Sequence, residues 1–132
     1  MGLKRVGEID LPAHRADGGF DHAAVHHRRN RLYVAHTAND AIDVIDINAG
    51  RFIRSVTGLK GVAGALVDED QDLVFTSNRG ENTVGIFSPQ SEDTVEKVAA
   101  GIRPNGLAHD PALELIGPLA QAVEHQSKQG YS

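Results

Sequence analysis

Residues 31–46 read RLYVAHTANDAIDVID, and about forty positions later residues 72–88 read DLVFTSNRGENTVGIFS. Each copy holds two short runs of β-branched, aromatic and aliphatic residues around a polar turn: residues 32–35 and 42–47 in the first, 73–76 and 84–87 in the second. Near-alternate apolar spacing between Asn, Asp, Gly and Ser residues is the pattern of strands, because successive strand side chains point to opposite faces. The turns carry residues that tolerate the positive φ a tight reversal needs, Asn39-Asp40 in one copy and Gly80-Glu81-Asn82 in the other.

The similarity extends beyond these hairpins. An apolar run precedes each one (residues 23–30 and 64–71), and a further strand follows (residues 51–56 and 94–98), the first of these after the turn Asn48-Ala49-Gly50. Leu32 over Leu73 gives a spacing of 41, whereas Val44 over Ile86 and Val56 over Val98 give 42, a difference that a one-residue slip in a turn would explain. Four strands per unit at a period of about 40 to 45 residues is the pattern of a β-propeller blade. Residues 4–12, KRVGEIDLP, are expected to be the outer strand of a preceding blade. Residues 101–111, GIRPNGLAHDP, begin a third unit, with Gly106 over Gly64 and Asp110 over Asp68. After Pro111 no further strand is expected. Leu119, Ala122 and Val123 would share one face of a short helix opened near Pro118, and residues 126–132 are expected to fray.

The expected fold is therefore all-β, an incomplete propeller of about two four-stranded antiparallel blades with flanking strands and a short C-terminal helix. It forms one domain, divided at residues 1–19 (outer strand and linker), 20–58 (blade), 59–101 (blade) and 102–132 (start of a third unit and tail).

Composition excludes several function classes. A chain of 132 residues suits one small domain, and 18 acidic against 13 basic residues leave a net charge of −5, without the clustered positive footprint a nucleic acid demands. The basic run His26-His27-Arg28-Arg29-Asn30-Arg31 lacks interleaved aromatics and reads as a solvated turn. Without cysteine there is neither a thiolate nucleophile nor a thiolate metal site. No apolar run approaches the ~18 residues of a membrane span, and charges in residues 1–12 replace the apolar core of a signal peptide. The chain as given is thus expected to be cytoplasmic, with no nucleic-acid or membrane partner.

At residues 31–56 the chain resembles the YVTN-type β-propeller repeat, the group that includes YncE-like and surface-layer propellers. The resemblance rests on Leu32-Tyr33-Val34-Ala35, Asn39, the run Ile42-Asp43-Val44-Ile45-Asp46, and Gly50. It returns in Leu73-Val74-Phe75-Thr76, Asn78 and Val84-Gly85-Ile86-Phe87-Ser88, with Ser88 where Asp46 stands, and covers about residues 20–111. It implies a non-enzymatic module that serves as an interaction or ligand-binding scaffold, in a group whose members are often exported. Two blades cannot close a ring that needs ~4 to 8. Either the chain is a fragment of a longer propeller, or copies associate as a homo-oligomer through their open blade faces. No protein or small-molecule partner can be named from these residues.

In a propeller the innermost strands line the central channel, which makes their starts the candidate ligand positions: His22, Ala63 and Asn105, with Lys60 and Arg103 just upstream. His22, Lys60, Arg103 and Asn105 are the expected ligand-binding residues. No cofactor is expected on the scaffold reading. The stretch RPNGLAHDP also resembles the segment of SMP-30/gluconolactonase-type propellers that places a metal-binding Asn ahead of a Gly. That resemblance implies an alternative, a fragment of a metal-dependent lactone hydrolase in which Asn105 holds a divalent metal such as calcium; the other expected ligands have no counterpart here.

The remaining titratable residues form no recognisable constellation. His22 and His26 would lie about 13 Å apart on an extended strand, too far for one ion. His36, just past an inner strand, reads as a buried, hydrogen-bonded ring. Asp43 and Asp46 fall on opposite strand faces and cannot act as a glycosidase pair. Asp68, Glu69, Asp70 and Asp72 lack the Gly and terminal Glu of an EF-hand loop and read as a solvated acidic turn. No serine sits in a G-x-S-x-G elbow, and no catalytic residue is expected.

Overall fold

The computed structural model describes residues 2–100, together with the backbone of two further strands. The first sheet has the order β1 (Ala23–His26), β2 (Arg31–His36), β3 (Ala41–Asp46) and β4 (Arg51–Val56), and the second β5 (Val62–Asp68), β6 (Leu73–Asn78), β7 (Thr83–Phe87) and β8 (Glu96–Ala99). Every pairing is antiparallel between strands adjacent in sequence. This is the expected all-β architecture, two propeller-type blades.

The register corrects the expected one-residue slip. Leu32 pairs with Ile45 as Val74 pairs with Phe87, and Ala24 pairs with Tyr33 as Leu66 pairs with Phe75, so the period is 42 throughout. Turn backbones repeat at the same interval: positive φ occurs at Asn30 and Asp72, at Asp40 and Asn82, and at Gly19 and Gly61. The slip came from matching Leu32 to Leu73 by residue type, whereas the buried aromatics Tyr33 and Phe75 are the true equivalents. The last strand of the second blade also starts later than expected, at Glu96, because Thr94 still closes a turn through its N–H to the Ser91 carbonyl.

Two flanking expectations need correction. Strand β9 (Leu107–Asp110) pairs with β10 (Leu115–Pro118), so a strand does follow Pro111. Leu115 opposite Asp110 repeats Leu73 opposite Asp68, again at 42, and the hairpin continues the blade series. The helix expected around Leu119, Ala122 and Val123, and the frayed end, lie outside the described residues. At the other end, residues 4–12 form no strand, and Leu3, Val6 and Ile9 are exposed. An outer strand is a strand only beside the sheet it edges, and among the described residues no sheet lies before β1.

The core lies between the two blades. Tyr33, Ala35, Ile42 and Val44 of the first pack with Val62, Val74 and Phe87 of the second, and Val56 and Leu59 close the cluster along the crossover. Tyr33 meets Phe87 edge to face at 5.9 Å between ring centroids. At roughly 1.5–3 kcal/mol for each fully buried large apolar side chain, this shared layer outweighs any single polar contact in the fold. Each blade thus covers one face of its neighbour, and β5 and β6 also approach β9. Ala63, opposed to no partner between Val62↔Asn78 and Gly64↔Ser77, is a bulge that bends the start of β5 where it meets the first blade.

Candidate functional site

The rim carrying the β2–β3 turn and the β4–β5 crossover holds the described part of the expected ligand surface. His22 precedes β1, and its backbone N–H donates to the carbonyl of Ala63 across the blade boundary at 3.1 Å. Its ring Nδ1 lies 3.0 Å from the same carbonyl and 2.9 Å from Asp21 Oδ1. Both neighbours are acceptors, so Nδ1 carries a proton. The structure therefore joins His22 and Ala63, two of the three expected strand starts, by their backbones. Gly64, and not Ala63, is the period-42 equivalent of His22; Ala63 is the extra residue of the bulge.

Lys60 stands exposed in the crossover, its N–H donating to Glu81 Oε1 at 3.2 Å and its carbonyl accepting from the Gly80 N–H at 2.9 Å. Thr37 Oγ1 donates to the Val62 carbonyl, and the Gly61 N–H to Asp40 Oδ1. These bonds fix His22 and Lys60 on rigid loops of adjoining blades. Arg103 and Asn105 lie outside the described residues. Among the described residues, no group of three or more His, Asp or Glu side chains is disposed to hold a metal ion.

Beneath this rim runs a polar chain that sequence reading did not assemble. Ser55 Oγ donates to Asp43 Oδ1 at 2.8 Å, Asp43 Oδ2 accepts from His36 Nδ1 at 2.7 Å, and His36 Nε2 lies 2.7 Å from His14 Nδ1. Phe20 stacks on the His36 ring at 4.1 Å. Ser, Asp and His are all present, but Asp43 stands between the other two, so the order is not that of a serine–histidine–aspartate triad, in which the histidine faces the serine. His36 and Asp43 are wholly buried; the chain ties β2, β3 and β4 together and anchors the segment leading to His22. His36 is the buried, hydrogen-bonded ring expected from sequence. Asp43 could have been found from its place opposite Ser55 once the register was known.

The opposite rim joins two stretches that each read, in sequence, as a solvated turn. Asp72 accepts from Arg29 through both carboxylate oxygens and from His26 Nε2 at 2.8 Å. Glu69 accepts from the His27 side chain and from the backbone N–H groups of His27 and Arg28. The Arg29 guanidinium above all holds the Asp72 carboxyl at about 2, against the opposing effect of burial, and the His27 ring with the two backbone donors holds Glu69 at about 2. The basic run of the first blade and the acidic turn of the second form one interblade clamp. A second clamp uses Glu92, which is buried and accepts from Tyr33 Oη at 3.1 Å and from Arg54. Burial, then the Glu92 charge, raises the Tyr33 phenol above its ordinary range.

No protein-family model matches the chain, and no curated protein matches it. Solved structures do. Hydrazine synthase of Kuenenia stuttgartiensis superposes with a TM-score of 0.66 at 14% identity, covering 84% of this chain and 30% of that one. Virginiamycin B lyase from Staphylococcus aureus superposes with a TM-score of 0.60 at 13% identity, over 74% of this chain and 33% of that one. Both are β-propeller-type folds, and this chain spans about a third of their length. The likeness at this identity is one of fold.

Proposed function

We propose that the chain is a YVTN-type propeller module that acts without catalysis as a binding scaffold and works as part of a larger ring. The observation that carries the reading is the unbroken 42-residue period across two sheets and into the β9–β10 hairpin. A blade buries its apolar faces only against neighbours, so a series that continues past the second blade calls for more blades on either side. The ring is completed by association of copies through open blade faces, about two to four at ~4 to 8 blades per ring, or by further blades in a longer polypeptide. His22 and Lys60 are the described members of the proposed ligand-binding set, which also includes Arg103 and Asn105.

Light scattering on the purified 132-residue chain tests the assembly. Closed oligomers of about two to four copies, or open-ended association, are expected; a cooperatively melting monomer at all concentrations would refute the account of how the blades are covered. The scaffold reading predicts no lactone hydrolysis with or without added calcium. Calcium-dependent hydrolysis abolished by Asn105→Ala would establish the lactonase alternative instead.

A further inference from the structure

The interblade rim opposite His22 contains a cavity of about 410 Å³, within the size range of small-molecule sites. Four arginines line it: Arg28 and Arg29 from the β1–β2 turn, Arg31 from the start of β2, and Arg54 from β4. Ile53, the bulged residue of β4, and Pro89, from the β7–β8 connection, supply its apolar wall. This gathering is unexpected in a chain of net charge −5.

The arginines are not equivalent. Arg29 is committed to Asp72 by a two-pronged bond and acts as a fixed rib of the wall. Arg31 is steadied by the carbonyls of Arg29 and Asn30, both through Nη1, with Asp46 at 3.6 Å from the same nitrogen. Arg28 donates through Nη2 to the Glu69 carbonyl, and Arg54 through Nη1 to Glu92; their side chains are 64% and 56% exposed. A guanidinium has five N–H donors, so Arg31 and Arg54, each held through Nη1, and Arg28, held through Nη2 with Nε 4.0 Å from Glu69 Oε1, keep other donors for a ligand. Carboxylates lie nearby. Glu69, Asp46 and Asp72 back the arginines, and Glu92, within the wall, is turned to Tyr33 and Arg54. They orient the forks before a ligand arrives, which lowers the ordering cost of binding.

We infer that this cavity binds a small phosphate monoester, its tetrahedral dianion held by Arg28, Arg31 and Arg54 and its carbon portion against Ile53 and Pro89. A planar carboxylate matches the fork of a single guanidinium, whereas several guanidiniums brought to one cavity from two chain segments, residues 28–31 and β4, match oxygens that diverge tetrahedrally. The site needs only the two described sheets, so it stands independently of ring closure and of the rim around His22.

The test is calorimetric titration of the full chain with phenyl phosphate and with inorganic phosphate at constant ionic strength. Saturable binding of both is expected, tighter for phenyl phosphate and weaker as salt rises. Arg28→Gln and Arg54→Gln should each weaken it by about tenfold or more, the scale of one charge-assisted hydrogen bond. Arg15→Gln, an exposed arginine on the other rim, should leave it unchanged. Absence of saturable binding, equal affinity in both cavity variants and wild type, or equal loss in Arg15→Gln would each overturn the inference. Arg28 is largely exposed, so its variant folds and decides the question even where Arg54→Gln is destabilised.

Discussion

A methyl group added at Gly61 would measure how closely the crossover approaches the β6–β7 turn. Gly61 and Gly50 both have left-handed backbones, at φ of 64° and 65°. An L-residue there costs roughly 1–2 kcal/mol from its own backbone, and this cost is common to both sites. Their surroundings differ. A Cβ at Gly50 would meet nothing within 4 Å, whereas one at Gly61 would fall 2.5 Å from the Gly80 nitrogen and 2.8 Å from its Cα. Those atoms are backbone and cannot rotate away; the crossover and the β6–β7 turn would have to separate, breaking the 2.9 Å bond from the Gly80 N–H to the Lys60 carbonyl. Overpacking of this kind adds about 1–3 kcal/mol, so Gly61→Ala is expected to lose roughly 2–5 kcal/mol against about 1–2 for Gly50→Ala. Urea unfolding at matched protein concentration, read as the midpoint shift, compares them directly. Losses equal to within about 0.5 kcal/mol would show that the crossover and the β6–β7 turn do not touch and would refute the close packing of these two loops.

Asp43→Ala strands the His36 ring and the Ser55 hydroxyl without their shared acceptor and should cost roughly 2–5 kcal/mol in urea unfolding, against about 1 for Ser55→Ala; near-equal losses would contradict the buried chain. Glu69 and Asp72 titrate lower in the folded chain, at about 2, than their ordinary 4.5 and 3.8. Their stabilisation is therefore complete above about pH 4.5 and is lost as pH falls through 2. Thermal melts from pH 7 to 2 should show a shallower acid decline for Asp72→Asn than for wild type, and parallel declines would dismiss the clamp. Because the Tyr33 phenol is raised, the native chain and Tyr33→Phe should give the same phenolate absorbance at pH 10–11 and diverge only when unfolded; a native difference would place Tyr33 in contact with water.

The blades were legible because their signal is local. Alternating Ile42, Val44 and Val84, Ile86, with Asp40 and Asn82 at the turns, encode strands and reversals through nearest-neighbour sterics, and the turn residues took the positive φ expected of them. Legibility failed where residue type and pairing disagreed. Leucine-to-leucine matching misplaced the period by one, and Leu115-Ile116 was too short an apolar pair to read as a strand until β9 supplied its partner. His22 was found by its position before an inner strand, while the bond that orients its ring comes from Ala63, 41 residues away.

Sequence by itself determined the repeat unit, its four strands and its turns, since each depends on residues a few positions apart. Tertiary structure decided which charges meet. His26, Arg28 and Arg29 and the turn from Asp68 to Asp72 each look solvated when read alone, because nothing in either stretch names the other. Stacking the blades brings them within hydrogen-bond distance, buries His26 completely, and leaves beside them a cavity lined by arginine. A hydrogen bond is decided by separation in space, and in a repeat protein that separation is set by how one unit lies against the next.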